Sequence, residues 1–175
     1  MKRYVLALAV VACALPAAAQ RSTHIGVGGG VVVPSGTFSD TRTAGPMGLL
    51  TLVVGPAESP IGARLDYSYN EFRGRSSGGV ESPSGHINAV TANIVLTGRV
   101  ASLKPYLVGG LGWYPYREAG DSVRITAFGP NGGGGIGFRL PYSELGGFIE
   151  VRYHKGHAPH HVDRRFIPIT LGIMF

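Results

Sequence analysis

The chain has 175 residues, a formal charge of +6, 28 glycines, three lysines and a single cysteine at position 13. No later stretch holds the ~18 uninterrupted apolar residues of a spanning helix, and no GxxxxGK[ST] or strand–GxGxxG–helix pattern occurs, which excludes a helical membrane protein and a nucleotide-binding fold. Formal charge falls to +4 if the amino-terminal segment leaves, and Cys13 leaves with it, excluding disulfides, a cysteine zinc site and a thiol nucleophile.

The amino-terminus reads as an export signal. Lys2 and Arg3 form a short positive region, Tyr4 to Leu15 is nearly all apolar, and Ala17-Ala18-Ala19 is a small-x-small cleavage site. The expectation is a signal peptide at 1–19 and one mature domain at 20–175. Val10-Val11-Ala12-Cys13 also fits a lipobox, in which Cys13 would carry the lipid, and that alternative stays open.

From there the pattern has period 2, and no helical period persists for three turns. Eight strands are predicted: His24–Pro34, Pro46–Val54, Ile61–Arg73, His86–Val100, Pro105–Arg117, Asn131–Leu140, Gly147–His157 and Arg165–Phe175. Their connections alternate in length. Gly55–Pro60, Ala101–Lys104 and Pro141–Gly146 are short and carry turn residues; Ser35–Gly45, Gly74–Gly85 and Glu118–Pro130 are longer and polar. Ala158–Arg164 is shorter but falls on the long-loop side. An even strand number puts both termini on the short-turn rim.

Strand faces carry the next step. Along Ile61–Arg73, Ile61, Ala63, Leu65, Tyr67 and Tyr69 alternate with Arg64, Asp66, Ser68 and Asn70. Along Gly147–His157, Ile149, Val151 and Tyr153 oppose Glu150, Arg152 and His154. Along His86–Val100, Val90, Ala92, Ile94 and Leu96 oppose Thr91, Asn93, Thr97 and Arg99. Pro46–Val54 and Pro105–Arg117 are apolar or glycine-rich on both faces. A soluble lipocalin-like barrel would turn the apolar face inward. The polar faces here are poor in lysine and glutamate, unlike a water-facing sheet. Aromatics cluster near strand ends, with Tyr67, Tyr69, Trp113 and Tyr153 toward the loop rim and Tyr106, Phe148 and Phe175 toward the turn rim, as at a bilayer interface. The last strand sets Ile167, Ile169, Leu171, Ile173 and Phe175 on one apolar face, an aggregation-prone edge unless it is closed in a barrel facing lipid.

The signal segment, the eight alternating strands, the asymmetric connections and the final Thr170-Leu171-Gly172-Ile173-Met174-Phe175 resemble the small outer-membrane barrel family of OmpX/OmpA type. The resemblance covers the whole mature chain; Ile173 departs from it, standing where the family often has an aromatic residue. It implies an all-β, eight-stranded, antiparallel up-and-down transmembrane β-barrel, porin-like in setting, in the cell outer membrane of a Gram-negative-type bacterium after Sec-type export. It also implies that Leu171, Gly172, Ile173 and Phe175 form a terminal signal read by the outer-membrane insertion machinery, with periplasmic chaperones as earlier partners. Outer-membrane lipids and lipopolysaccharide are the expected surroundings of a monomer. The net-positive last loop region, with Lys155, Asp163, Arg164 and Arg165, would face lipopolysaccharide phosphates. Nucleic acid has neither compartment nor motif.

Turning the polar faces inward gives a lumen network of Arg64, Asp66, Arg99, Arg139, Glu150 and Arg152, whose charges should be paired or hydrated. An eight-stranded barrel is only just wide enough for side chains to fill. The expected role is therefore structural or surface-interacting, with an occluded lumen; the alternative is a narrow channel for small polar solutes. Two further readings carry less. His154, His157, His160 and His161 fall close together near the last loop and form a weak metal candidate, so no cofactor is assigned. A lipid A-modifying enzyme would need Ser82 or Ser84 beside His86 with Glu81 nearby, but that loop reads as a solvated linker, so no enzyme is assigned. A soluble periplasmic ligand-binding barrel completes the alternatives.

Overall fold

The computed structural model describes residues 21–56, 59–77, 80–120, 124–158 and 163–175. The predicted signal peptide and Cys13 lie outside these residues. Eight long strands run β1 Arg21–Ser35, β2 Gly45–Pro56, β3 Ile61–Gly74, β4 Gly85–Thr97, β5 Leu103–Glu118, β6 Arg124–Arg139, β7 Gly146–His157 and β8 Asp163–Met174. Each pairs antiparallel with the next, and β8 returns to β1 from Gly26↔Met174 to Ser35↔Arg165, closing the sheet. The Phe175 amide donates to the Ile25 carbonyl at 2.7 Å, extending that closure. A closed sheet leaves no unpaired edge, which is what the apolar last strand requires.

Alternation decides what lies outside. On β8, Leu171 is 60% exposed while Thr170 is 3% exposed. On β3, Leu65, Tyr67 and Tyr69 face out, while Arg64, Asp66, Ser68 and Asn70 are buried inside. An exterior of isoleucine, leucine, valine and aromatic rings around a charged interior is stable only where the outer solvent is hydrocarbon. No described helix is long and apolar enough to cross a membrane; the strands do the crossing.

Ladder pairs are missing at three places, each next to a proline. The β4–β5 register skips from Ile87↔Tyr116 to Val90↔Trp113 around Pro115, β6–β7 from His154↔Asn131 to His157↔Phe128 around Pro130, and β7–β8 from Val151↔Ile169 to His154↔Phe166 around Pro168. Proline has no N–H to give a ladder, so the sheet opens there and resumes in the same register.

The strand predictions need two corrections. β6 begins at Arg124, not Asn131, and Tyr116↔Ile125 and Tyr114↔Ala127 pair across what the sequence presents as a polar loop. Gly129 and Pro130 look like breakers, but the pairing continues through them. β4 ends at Thr97, three residues before the predicted Val100. The two-sided apolar character of β2 also has a cause: Met47 and Leu49 point inward and join a buried apolar cluster, while Leu50 faces out.

Two aromatics expected at the turn-rim interface are inside. Tyr106 lies over Gly135, where an added Cβ would come within 2.5 Å of both its ring and the Ile149 carbonyl oxygen. Phe148 lies over Gly172, where an added Cβ would meet its ring and, at 2.6 Å, the Val27 carbonyl oxygen. In a lumen this narrow a ring fits flat only where the facing residue has no side chain.

Candidate functional site

The lumen holds the concentrated chemistry of the chain. β3 and β7 stand four strands apart in a ring of eight, on opposite walls. β3 presents Arg64 and Asp66 inward two residues apart, and β7 presents Glu150 and Arg152 the same way. Both strands ascend from the turn rim, so each residue meets its opposite charge across the barrel. On the lower rung, Arg64 Nη1 donates to Glu150 Oε2 at 2.5 Å and Nη2 to Oε1 at 3.2 Å. On the upper rung, Arg152 Nη2 donates to Asp66 Oδ2 at 2.9 Å. Each wall is also paired within itself, Arg64 Nε to Asp66 Oδ1 at 2.7 Å and Arg152 Nε to Glu150 Oε1 at 2.8 Å. The result is a closed, charge-neutral circuit of two guanidinium and two carboxylate groups.

Neighbouring strands add further partners. Tyr106 Oη donates to Glu150 Oε2 at 2.8 Å, and Asn93 Nδ2 to Asp66 Oδ2 at 2.8 Å. Thr91 Oγ1 adds a longer contact to Asp66 at 3.3 Å, and Asn131 accepts from Arg152 Nη1 at 3.3 Å. All four charged side chains are at most 4% exposed. Such burial of charge is tolerable only with this degree of pairing.

Above the circuit, toward the loop rim, the lumen is aromatic. His154 stacks on Phe166 with centroids 4.7 Å apart and hydrogen-bonds the Tyr114 hydroxyl through Nδ1 at 3.2 Å. Phe72 meets Phe166 edge-on, and Phe38 meets Phe72 at 4.9 Å and Tyr116 at 6.0 Å. Phe38 comes from the 3-10 turn Gly36–Asp40 that follows β1, so the first loop places a ring on top of the barrel interior. At the mouth, Arg42 donates to the Tyr116 hydroxyl from Nε at 3.0 Å and Nη2 at 2.7 Å, and pairs with Glu118. Arg164 lies over the Tyr116 ring, its Cζ 4.1 Å from the centroid.

Of the six residues predicted for the polar network, the structure brings together Arg64, Asp66, Glu150 and Arg152. It does not bring in Arg99 or Arg139. Arg99 lies in the turn beyond β4, Arg139 is the last residue of β6, and both are exposed at the turn rim. Past the last rung of a strand, inward parity leads to the aqueous mouth rather than to the lumen. Among the terminal residues, Leu171, Ile173 and Phe175 face out and Gly172 faces in.

The histidines separate. His154 is buried in the lumen, while His157, three residues on, is exposed on the other face of β7. His160 and His161 lie outside the described residues. Among the described residues, no three histidine, aspartate or glutamate side chains converge as a metal site. His157 instead contacts Asp163 at 2.9 Å, with Arg165 at 2.9 Å and Lys155 at 3.9 Å on the same carboxylate. At this half-buried rim position the Arg165 hydrogen bond, then that of His157, holds the Asp163 carboxyl below the usual carboxylate range. His86 stacks on Tyr69, centroids 5.4 Å apart, rather than engaging Ser82 or Ser84.

The sequence reading misses the aromatic plug, although one signal is available. Phe72 continues the inward series Arg64, Asp66, Ser68, Asn70, and Phe166 continues Gly172 and Thr170 backward.

Comparison with known proteins agrees with this architecture. The chain matches the outer membrane protein beta-barrel domain over residues 5–174. No curated protein matches it. Among solved structures it resembles Neisserial surface protein A, with a TM-score of 0.65 at 13% identity, covering 88% of this chain and 97% of that one. It resembles OprG of Pseudomonas aeruginosa with a TM-score of 0.61 at 14% identity, covering 89% and 97% of the two chains. It resembles a major outer membrane protein of Thermus thermophilus with a TM-score of 0.58 at 14% identity, covering 89% and 98%. With a family match over nearly its whole length and an inside-out barrel to explain it, the chain belongs to the outer membrane protein β-barrel family.

Proposed function

We propose that this barrel is a structural and surface-interaction protein of the outer membrane whose lumen does not conduct. The observation that supports this most strongly is the pairing of β3 with β7 through Arg64–Glu150 and Asp66–Arg152, which joins opposite walls of the lumen at mid-height. A passing ion would have to separate pairs that are at most 4% exposed, leaving unpaired charges in a dry interior. The aromatic layer above offers no hydrated path. With transport set aside, the surface available for recognition is the loop rim, held by Phe38 and the Asp163 cluster. The terminal residues Leu171, Gly172, Ile173 and Phe175 serve insertion through the outer-membrane machinery, and the barrel works as a monomer among outer-membrane lipids.

Planar-bilayer recording of the refolded protein tests this. No steady ion current is expected. A steady, saturable current would favour the narrow channel for small polar solutes instead.

A further inference from the structure

We propose that the loop-rim mouth of the barrel is a receptor site for one phosphate- or sulfate-type oxyanion, with the Arg164 guanidinium as its principal donor. Arg164 is 4% exposed, and its Nε and Nη1 have no hydrogen-bond partner. Every other inward-facing arginine among the described residues is matched. Arg64 and Arg152 rest on Asp66 and Glu150, and Arg42 rests on Glu118 and the Tyr116 hydroxyl. Among the described residues, Arg164 has no carboxylate. Glu118, a described acidic group at this mouth, is taken by Arg42 and by the Tyr116 hydroxyl at 3.3 Å.

Among the described residues, Arg42, Arg164 and Glu118 therefore leave one positive charge uncompensated in a nearly buried place. A buried guanidinium without a counterion is strongly disfavoured, so the fold that keeps it there is completed by an anion. The geometry favours an oxyanion with several acceptors. The Tyr116 ring holds the Arg164 plane, its Cζ 4.1 Å from the centroid, while the donors of Arg42 are taken by the Tyr116 hydroxyl, Glu118 and the Thr41 carbonyl, so Arg164 supplies the unpartnered fork. Such a fork matches phosphate and sulfate oxygens, and holding it on a ring lowers the ordering cost of binding. Arg164 is the second residue of β8 and Arg42 follows the 3-10 turn, so the anion arrives from the loop side. The chemistry fits free phosphate and the phosphate of a glycolipid headgroup alike. The site is independent of the closed lumen: a conducting barrel would leave Arg164 in place, and an empty site would leave the circuit intact.

The test uses the full-length barrel refolded in uncharged detergent. Thermal unfolding is followed with inorganic phosphate, inorganic sulfate or chloride at matched ionic strength, alongside the Arg164 Nε–H resonance. Phosphate and sulfate should raise the unfolding midpoint above chloride by linkage. The shift should persist in Arg165→Gln, shrink in Arg164→Lys and vanish in Arg164→Met. The resonance should move on titration of wild type, which keeps the test valid should Arg164→Met fail to fold. Phosphorylated and dephosphorylated lipopolysaccharide distinguish the source: a response to the phosphorylated lipid alone assigns the site to a headgroup, and a response to inorganic phosphate assigns it to the free anion. Shifts no larger than chloride from every probe, or an undiminished shift in Arg164→Met, would overturn the proposal.

Discussion

The lower and upper halves of the lumen are closed by different physics. At mid-height, four charged groups from β3 and β7 are held by directional bonds that each need a particular partner atom. Above them, Phe38, Phe72, Tyr114 and Phe166 fill space through ring contacts, much as a soluble core does. The charged layer is unforgiving of losing one member and indifferent to losing all. The aromatic layer responds in proportion to the volume removed.

That difference can be broken experimentally, beginning with the largest effect. Glu150→Ala removes the carboxylate shared by Arg64, Arg152 and Tyr106, leaving two buried arginines with Asp66 as their one carboxylate in the circuit. It should cost about 3–5 kcal/mol in reversible urea unfolding from vesicles, whereas replacing all four charged residues by apolar ones of similar volume should be neutral or stabilising by about 1–4 kcal/mol. If the fourfold variant loses as much as the single one, the circuit does more than balance its own burial.

Phe166→Ala probes the other layer. Phe166 is fully buried and touches Phe72, Tyr114 and His154. A loss of about 3–4 kcal/mol is expected, scaling with the cavity left behind. A loss under ~1 kcal/mol in the same unfolding measurement would mean that the plug collapses or is not packed. The smallest effect belongs to Arg99→Gln and Arg139→Gln. Both residues are exposed at the turn rim, and each change should fall within about 0.5 kcal/mol. A large loss from either would return it to the network from which the structure removes it.

The two layers also differ in how readable they are. Period-2 alternation locates Arg64, Asp66, Glu150 and Arg152, because a charge on a strand with an apolar opposite face has only one sheltered direction to point. The same rule fails at Arg99 and Arg139, where β4 and β6 end and parity no longer means burial. At Tyr106 and Phe148 the preference of aromatics for the interface points the wrong way; alternation places Phe148 on the side of Glu150 and Arg152, while Tyr106 sits on a strand whose two faces alternation does not tell apart. The facing Gly135 and Gly172, which make room for those rings, become neighbours only through strand register. Phe38 lies beyond any periodic argument: a ring in a polar loop folds inward because the barrel top has an apolar hole to fill. Arg164 looks like a rim charge in the sequence, yet it shares the inward parity of Phe166, two residues on, and is buried on the same face of β8.

The closed lumen is tested most directly by single-channel recording of two proteins side by side. One is wild type. The other carries alanine at Arg64, Asp66, Glu150 and Arg152 and at Phe72 and Phe166 of the aromatic layer, with folding verified by heat-modifiable migration. A lumen sealed by the charged circuit and the rings above it predicts no steady current through wild type and a measurable current through the truncated barrel. A steady wild-type current equal to that of the truncated barrel would contradict it.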